Sequence, residues 1–418
     1  MNNTEYRIGT LDLISNNQIM GWAWNKYTRE TVIIEIIIDG NVIGQTTADS
    51  YRLDLELASI ANGYAGFSYI IPDDLCDNKK HKIEARILGT SIYLNGSPKN
   101  ILLNKYNDSV EYFKNSTWID KDDNIFEEDL TIKSKFIPKN QIQNILDFRR
   151  DGFIKFNSII DERLILQVER DIERLWRERP YLLTQAAGEP IPTPLSSILN
   201  EEEYRLKSAR YLDFHNISEA AAEILCHPFI VDFVELYLGE SIAGMQTLLF
   251  EHGTQQNAHQ DYPYVHSLRP SAIAGVWIAL EDVSEDAGPL FYYRGSHKVI
   301  KPYLFENGSI LAHGDGAHIR KYENYLQEEC ELNGLKKEYL IAKKGDVLVW
   351  HSALVHGGGF RKNIKLTRRS LVSHYTTLNA YPTDRRFPSL QPIPKKINNC
   401  TYYENQSKGH IEGLFKAS

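Results

Sequence analysis

Gln256-Asn-Ala-His259-Gln-Asp261-Tyr-Pro263 is the stretch on which the reading of this chain turns. In extended backbone, residues two apart project from the same face, so the imidazole of His259 and the carboxylate of Asp261 turn to one side. A second imidazole would complete a set of two histidines and one carboxylate. Such a set holds one face of an octahedral Fe(II) and leaves the opposite positions open to reactants. Two candidates for it lie in Gly345-Asp-Val-Leu-Val-Trp-His351-Ser-Ala-Leu-Val-His356-Gly-Gly-Gly359. His356 is the natural third ligand, because the adjoining glycines let backbone approach a metal closely. His351 competes with it, and packing beneath the site is its other reading. A second His-x-Asp, His313-Gly-Asp315, sits among glycines that spell turn chemistry.

Beyond His356 comes Leu366-Thr-Arg368-Arg369-Ser370-Leu-Val-Ser-His374-Tyr375. Arg368 and Ser370 are two apart in a β-run, so guanidinium and hydroxyl share a face while Arg369 faces away. A guanidinium fork matches a carboxylate through two charge-assisted hydrogen bonds, and a hydroxyl adds a third. Beside an iron site, that pair suits a dicarboxylic cosubstrate.

The chain has 418 residues, with 47 Lys+Arg against 55 Asp+Glu, hence a net charge of −8. At 42% hydrophobic and 24% charged it is an ordinary globular mixture, which excludes disorder throughout. A mildly acidic chain with no Lys/Arg-rich run argues against nucleic acid or an anionic membrane as main partner. The greasiest run, Thr31–Asp39, carries two carboxylates and is too short to span a bilayer. Met1–Tyr6 has no basic or apolar leader character, and Cys76, Cys226, Cys330 and Cys400 lie too far apart for a CxxC frame. A cytoplasmic protein with reduced thiols is expected.

Two textures divide the chain. Residues 1–104 show short β-rich runs: Tyr6–Ile14, Ile19–Trp24, Val32–Ile38, Val42–Thr46, Gly66–Ile71, His81–Leu88 and Ser91–Leu94. Asp39-Gly40 between two of them marks a tight hairpin turn that needs positive φ at both positions. This spacing predicts a β-sandwich, and Trp22 and Trp24, two apart, are read as packed into its core, with a sugar-stacking face as their other reading. Residues 105–140 read as a polar linker. In 141–418, Asp161 caps a helix that places Leu164, Ile165, Val168, Ile172, Leu175 and Trp176 on one face and ends at Pro180. Ser218 opens another, Pro228 begins a third and Gly239 closes it. Strands are then predicted at Met245–Glu251, Ala272–Glu281, Leu290–Arg294, Lys336–Ile341, Asp346–His351 and Ser370–Tyr375. Helices followed by a series of strands indicate a β-barrel or double sheet backed by helices.

Phe148-Arg-Arg-Asp151-Gly152-Phe153, His259-Gln-Asp261, Gly288-Pro-Leu290, Gly295-Ser-His297, Gly345-Asp346, His356-Gly-Gly358 and Arg368–Tyr375 follow one another in an order that resembles the phytanoyl-CoA dioxygenase family. The resemblance runs from about Phe148 to Tyr375. It implies a mainly β fold with helices, a double-stranded β-helix (jelly-roll) oxygenase core backed by helices, beside the N-terminal β-sandwich. It further implies Fe(II), 2-oxoglutarate and O2. His259, Asp261 and His356 match the family's iron ligands, and Arg368 matches the arginine for the far carboxylate of 2-oxoglutarate, with Ser370 as helper. Trp277 and Gln246 match positions near that pocket, while His297 is read as a loop-packing residue. Arg294 stands where the family usually has proline. Asp261 speaks against a halogenase, since related halogenases lack this carboxylate.

The reaction so implied is hydroxylation of an unactivated C–H of a small molecule. Tyr262, Tyr264, Tyr292 and Tyr293 cluster near the triad in sequence, and Arg210 lies in an irregular stretch that reads as a solvated loop or a lid. Gly21-Trp-Ala-Trp24 and Gly66–Pro72 resemble β-sandwich modules found beside bacterial polysaccharide enzymes, which tilts the substrate toward a sugar, nucleotide sugar or glycan intermediate. The alternatives are a non-catalytic carbohydrate-binding or scaffolding protein, and an oxygenase acting on an acyl-CoA or lipid.

Overall fold

In the computed structural model the described residues are 7–15, 18–26, 30–52, 55–56, 58–72, 75–77, 79–103, 117–187, 189, 192–265, 267–305, 310–312, 316–381 and 393–404. His313 and Asp315 fall outside them. Eight strands come first: β1 (Arg7–Ser15), β2 (Gln18–Asn25), β3 (Val32–Ile38), β4 (Asn41–Ala48), β5 (Ser50–Tyr51), β6 (Tyr64–Ile70), β7 (Lys79–Ile87) and β8 (Lys99–Leu103). They form two antiparallel sheets, ordered β1-β2-β6-β5 and β4-β3-β7-β8. Asp39 (φ 49°) and Gly40 (φ 85°) make the expected hairpin turn between β3 and β4.

Leu11, Ile19, Ala23 and Phe67 of one sheet meet Ile34, Ile36, Ile83 and Ala85 of the other in a single core, as a sandwich requires. Alternation along β2 puts Ile19, Gly21 and Ala23 inward, so Trp22 and Trp24 lie half-buried on the opposite face. That corrects the expectation that the two tryptophans fill the core. Gly21 has no room for any side chain, because the Phe67 ring lies against its Cα. Ser91–Leu94 is not a strand and makes only a bridge between Tyr93 and Arg86. The last strand is instead Lys99–Leu103.

Within 105–140, helix α1 (Asp123–Lys133) forms, and Trp118 and Phe126 bury their stacked rings in the core of the remaining chain. Helices α2 (Lys139–Asp151), α3 (Glu162–Glu178), α4 (Glu201–Leu206), α5 (Glu219–Leu225) and α6 (Pro228–Leu238) follow. Asp161 caps α3 by accepting from the Arg163 amide at 2.7 Å, a bond worth about 1 kcal/mol. Ser218 caps α5, and Gly239 ends α6 in the left-handed conformation.

The strands of this part are β9 (Phe153–Phe156), β10 (Leu183–Gln185), β11 (Thr193–Pro194), β12 (Arg210–Leu212), β13 (Ile242–Phe250), β14 (Ile273–Ala279), β15 (Leu290–Tyr293), β16 (Lys337–Tyr339), β17 (Val347–His351), β18 (His356–Gly358), β19 (Ser370–Thr377), β20 (Ile393–Ile397) and β21 (Cys400–Glu404). The major sheet runs β11-β10-β12-β13-β19-β14-β17-β9, and the minor sheet runs β16-β15-β18. A short helix, α7 (Ser296–Val299), and a long one, α8 (Gly316–Leu332), interrupt the strands. Helix α8 falls in a region read as strand-dominated, since its buried face consists of only Tyr322, Leu326 and Cys330.

Period-2 alternation decides what each strand contributes. Ala274, Val276, Ile278, Val347, Val349, Leu371 and Tyr375 join α3, α5 and α6 in the large core behind the major sheet. The residues between them, Trp277, Ala279, Leu348, Trp350 and Val372, face the other way and meet Leu290 and Tyr292 of the minor sheet. A double-stranded β-helix backed by helices is the result, and its site lies between the two sheets.

Candidate active site

His259 and His356 form an isolated antiparallel bridge, each amide donating to the other's carbonyl at 2.9 Å. Directly paired residues on antiparallel backbone point their side chains the same way. The two rings therefore stand 4.4 Å apart. The Asp261 amide donates to the Ser352 carbonyl at 2.9 Å, which anchors the same segment one step further on. Donor atoms of His259, Asp261 and His356 all lie within 4.8 Å of one another, and all three side chains are buried.

The two imidazoles are presented identically. His259 Nδ1 is 2.9 Å from the Asn257 carbonyl, and His356 Nδ1 is 2.9 Å from the Leu354 carbonyl. A carbonyl only accepts, so each Nδ1 carries the proton and each Nε2 keeps its lone pair for a metal. Burial pushes the His259 imidazole down to about 3, with the neighbouring His356 adding to the shift. Burial alone would raise the Asp261 carboxyl, but His356, His374 and His259 hold it well below the usual carboxylate range. A neutral imidazole beside an ionised carboxylate is the protonation state that a divalent cation needs.

Asp261 has two further neighbours that the sequence did not single out. Trp350 Nε1 donates to Oδ2 at 2.6 Å, and His374 Nε2 lies 3.3 Å from the same oxygen. Gln246 Nε2 donates to His374 Nδ1 at 2.9 Å, leaving the histidine proton on the Nε2 that faces Asp261.

A cavity of about 520 Å³ opens from these groups. It is lined by His259, Asp261, His356, Gln246, Trp277 and Arg368 among others. Arg368 is 2% exposed, its nearest polar contact is the Gly288 carbonyl at 3.4 Å, and no carboxylate pairs with it among the described residues. Its guanidinium stands 5.8 Å from the centre of the Trp277 ring. Burial, with Arg361 nearby, pushes it down to about 10, so it stays charged at neutral pH. A buried cation without an ion-paired carboxylate is costly, Glu281 offsetting it only from a distance, and Arg368 Nε and Trp277 Nε1 are both orphaned donors. An acidic ligand would satisfy them. Arg369 points elsewhere: its amide donates to Glu281 at 2.7 Å and its guanidinium lies 3.9 Å from Glu173. Ser370 is buried with an unpartnered hydroxyl but does not line the cavity.

The remaining candidates sort by position. His351 stands apart from the cluster, 3.2 Å from Asp120 and with its ring 5.9 Å from that of Tyr237. His297 packs 5.2 Å from the His351 ring, with Nε2 donating to the Arg149 carbonyl at 3.1 Å. Arg294 pairs with Asp151 at 2.6 Å and Glu338 at 2.9 Å, which ties its loop to α2 and β16. Of the four tyrosines only Tyr264 lines the cavity, 6.1 Å from the His259 ring, while Tyr292 packs on Phe153. Arg210, read as loop or lid, belongs to β12 and lines the cavity with Gln185, whose Oε1 accepts from it at 2.5 Å. Ile319 and Glu323 of α8 complete the wall.

His297 carries a pH prediction. Burial, with His351 adding, pushes its imidazole down to about 3 from an ordinary 6.5. Below pH 6.5 the unfolded chain binds a proton that the folded chain refuses. Stability is therefore lost as the pH falls toward 3, by up to about 1.4 kcal/mol per pH unit. Thermal unfolding of metal-free protein between pH 7 and 4.5 checks this. His297→Gln is expected to flatten the slope, and an unchanged slope would place the proton uptake elsewhere.

Fold and site together define a metal-dependent oxygenase built on a double-stranded β-helix. Residues 148–370, more than half of the chain, match the phytanoyl-CoA dioxygenase (PhyH) family, and the chain belongs to that family. It is a 2-oxoglutarate-dependent dioxygenase that works with ferrous iron, 2-oxoglutarate and O2. Curated relatives include peroxisomal phytanoyl-CoA dioxygenase of Homo sapiens, 24% identical over 291 residues, 64% of this chain and 80% of that one. The Bos taurus protein of the same name is 22% identical over 262 residues, 60% of this chain and 72% of that one. Similar solved structures include the epimerase SnoN in complex with Fe3+, alpha ketoglutarate and nogalamycin RO, at 17% identity and TM-score 0.44 over 60% of this chain and 90% of that one. EctD from S. alaskensis with 2-oxoglutarate and 5-hydroxyectoine aligns at 16% identity and TM-score 0.43, over 58% of this chain and 77% of that one. No helix among the described residues is long and apolar enough to cross a membrane.

Proposed function

We propose that the chain hydroxylates an unactivated C–H bond of a small, hydroxyl-rich molecule, a sugar, nucleotide sugar or glycan intermediate. In this reading His259, Asp261 and His356 hold the iron and Arg368 holds the far carboxylate of 2-oxoglutarate. The observation that carries it is the buried Arg368 guanidinium, without an acidic partner among the described residues, in the cavity that His259, Asp261 and His356 also line. The bound metal would supply O2 activation. The chain's own residues do the rest: the Asn257 and Leu354 carbonyls fix both imidazole tautomers, Trp277 offers an indole N–H beside Arg368, and Gln246 orients His374. Ser370, two residues beyond Arg368 and outside the cavity lining, would support the cosubstrate end only indirectly, through Arg368.

The cavity wall is mixed, with Leu212, Leu248, Phe250, Val265, Leu290 and Val372 beside polar groups, and we read those polar groups as the partners of a hydroxylated substrate. Gln185, Arg210, Thr254, Gln256, Tyr264 and Glu323 supply amide, hydroxyl and charged groups, and a volume of about 520 Å³ suits a small molecule. Residues 1–104 would act as an accessory module and 141–418 as the oxygenase, with 105–140 between them lending Trp118 and Phe126 to the oxygenase core. Four buried free thiols suit a reducing compartment such as the cytoplasm.

Two measurements test the reading. Anaerobic protein with Fe(II) and 2-oxoglutarate is expected to show the visible charge-transfer band of the chelate. Metal uptake without that band would favour a binding protein that does not turn over. Succinate formation is then compared across sugar-nucleotide and acyl-CoA panels, and coupling to acyl-CoA alone would overturn the substrate class.

A further inference from the structure

Asp261 can offer a metal one oxygen or two, and the difference decides how many coordination positions stay open. Three protein ligand atoms leave three positions of an octahedron, and a second oxygen from Asp261 would take one of them. The surroundings of the two oxygens differ. Oδ1 lies 3.6 Å from His356 Nε2, on the side where the donor atoms converge. Oδ2 accepts from Trp350 Nε1 at 2.6 Å and has His374 Nε2 at 3.3 Å. A hydrogen bond this short to an ionised carboxylate is charge-assisted and among the stronger kinds available to a side chain.

We propose that Trp350 is a positioning residue whose indole N–H ties down Oδ2 and thereby presents Asp261 as a one-oxygen ligand. This rests on the reading that His259, Asp261 and His356 bind the metal.

The indole is built in rather than free to drift. Trp350 is 2% exposed and sits opposite Gly275 in the register of β14 and β17. A Cβ on Gly275 would overlap the indole, so the glycine is the seat of the ring. The same indole stands 4.9 Å from the His356 ring, which places it against a second member of the cluster. A phenylalanine would fill much of this space and supply no donor. The N–H is the distinguishing chemistry.

The test uses the full-length chain in three forms: wild type, Trp350→Phe, and a chain carrying benzothienylalanine at 350, which keeps the bicyclic shape and replaces N–H by sulfur. Anaerobic titration with Co(II), followed by calorimetry and by cobalt's visible bands, reads affinity and coordination without turnover. Loss of the N–H is expected to weaken binding about 10- to 100-fold, as removal of a ligand's outer partner does elsewhere, and to alter the cobalt spectrum. The benzothienyl chain should melt within a few degrees of wild type in the absence of metal. Wild-type affinity and spectrum in that chain would overturn the proposal. Failure of the wild type itself to take up cobalt would overturn the metal-site reading instead, and this proposal with it.

Discussion

Asp261→Ala is expected to abolish succinate formation and to lower metal affinity by more than the roughly 10- to 100-fold that loss of an outer partner brings. The carboxylate is the only anionic member of the cluster, and it sits among three imidazoles. Removing it leaves two neutral nitrogens to bind a divalent cation in a buried site, which lacks both charge and a third donor. A second consequence separates this from simple damage to the fold. Trp350 Nε1 loses its acceptor in a position that is 2% exposed, and an unmet buried donor costs about 1–3 kcal/mol. Metal-free Asp261→Ala should thus melt somewhat below wild type yet unfold cooperatively. Calorimetric metal titration together with a succinate assay checks the first effect and thermal unfolding the second. Retained tight metal binding in this variant would remove Asp261 from the ligand set.

How much of this was legible beforehand varied with the kind of interaction. His259 and Asp261 were readable because their spacing matches the period of extended backbone, and His356 because glycines follow it. The bridge that aligns the two imidazoles spans 97 positions of chain and carries no local signal. The helix of Glu162–Glu178 announced itself through an apolar stripe, a cap and a following proline, whereas Gly316–Leu332 buries only three side chains and left no such stripe. Trp350 stayed hidden for a related reason. In Val347–His351 every residue is buried, so the pattern says strand without saying which side faces the cavity. Only its register with Gly275 and the alternation along β14 and β19 put the indole inside. Trp22 and Trp24 show the reverse error. The sequence reads them as core residues, but Ile19, Gly21 and Ala23 take the inner face of the strand, where the Phe67 ring leaves Gly21 no room for a side chain. Arg368 and Arg369 were separable by alternation, and the structure buries the first and turns the second toward Glu173 and Glu281.

Arg368→Met is expected to move two measurements in opposite directions. The wild-type guanidinium is buried with no carboxylate within ion-pair distance among the described residues, and its neighbour Arg361 adds like-charge repulsion. Exchanging it for an apolar side chain of similar length should leave metal-free, cosubstrate-free protein as stable as wild type or more so, by about 1–3 kcal/mol. The same exchange removes the charged half of a fork-to-carboxylate contact. Truncating one partner of a buried charged pair costs about 2–5 kcal/mol, which at 1.4 kcal/mol per decade is a rise of roughly 30- to 4,000-fold in the 2-oxoglutarate requirement. Metal affinity should change little, because Arg368 contributes no donor atom to the cluster. Saturating 2-oxoglutarate adds about 2.7 kcal/mol of stability at a hundred times its dissociation constant, so it should raise the melting temperature of metal-loaded wild type but not of the variant. Arg369→Ala is the matched control, since its side chain faces Glu173 and not the cavity. A cosubstrate dependence unchanged in Arg368→Met and shifted in Arg369→Ala would exchange the two assignments. If neither variant shifted it, another cation of the cavity wall would hold the carboxylate. The opposed signs make the case specific: a residue kept only for packing would lower stability when replaced, whereas a residue kept for its ligand carries its cost until that ligand arrives.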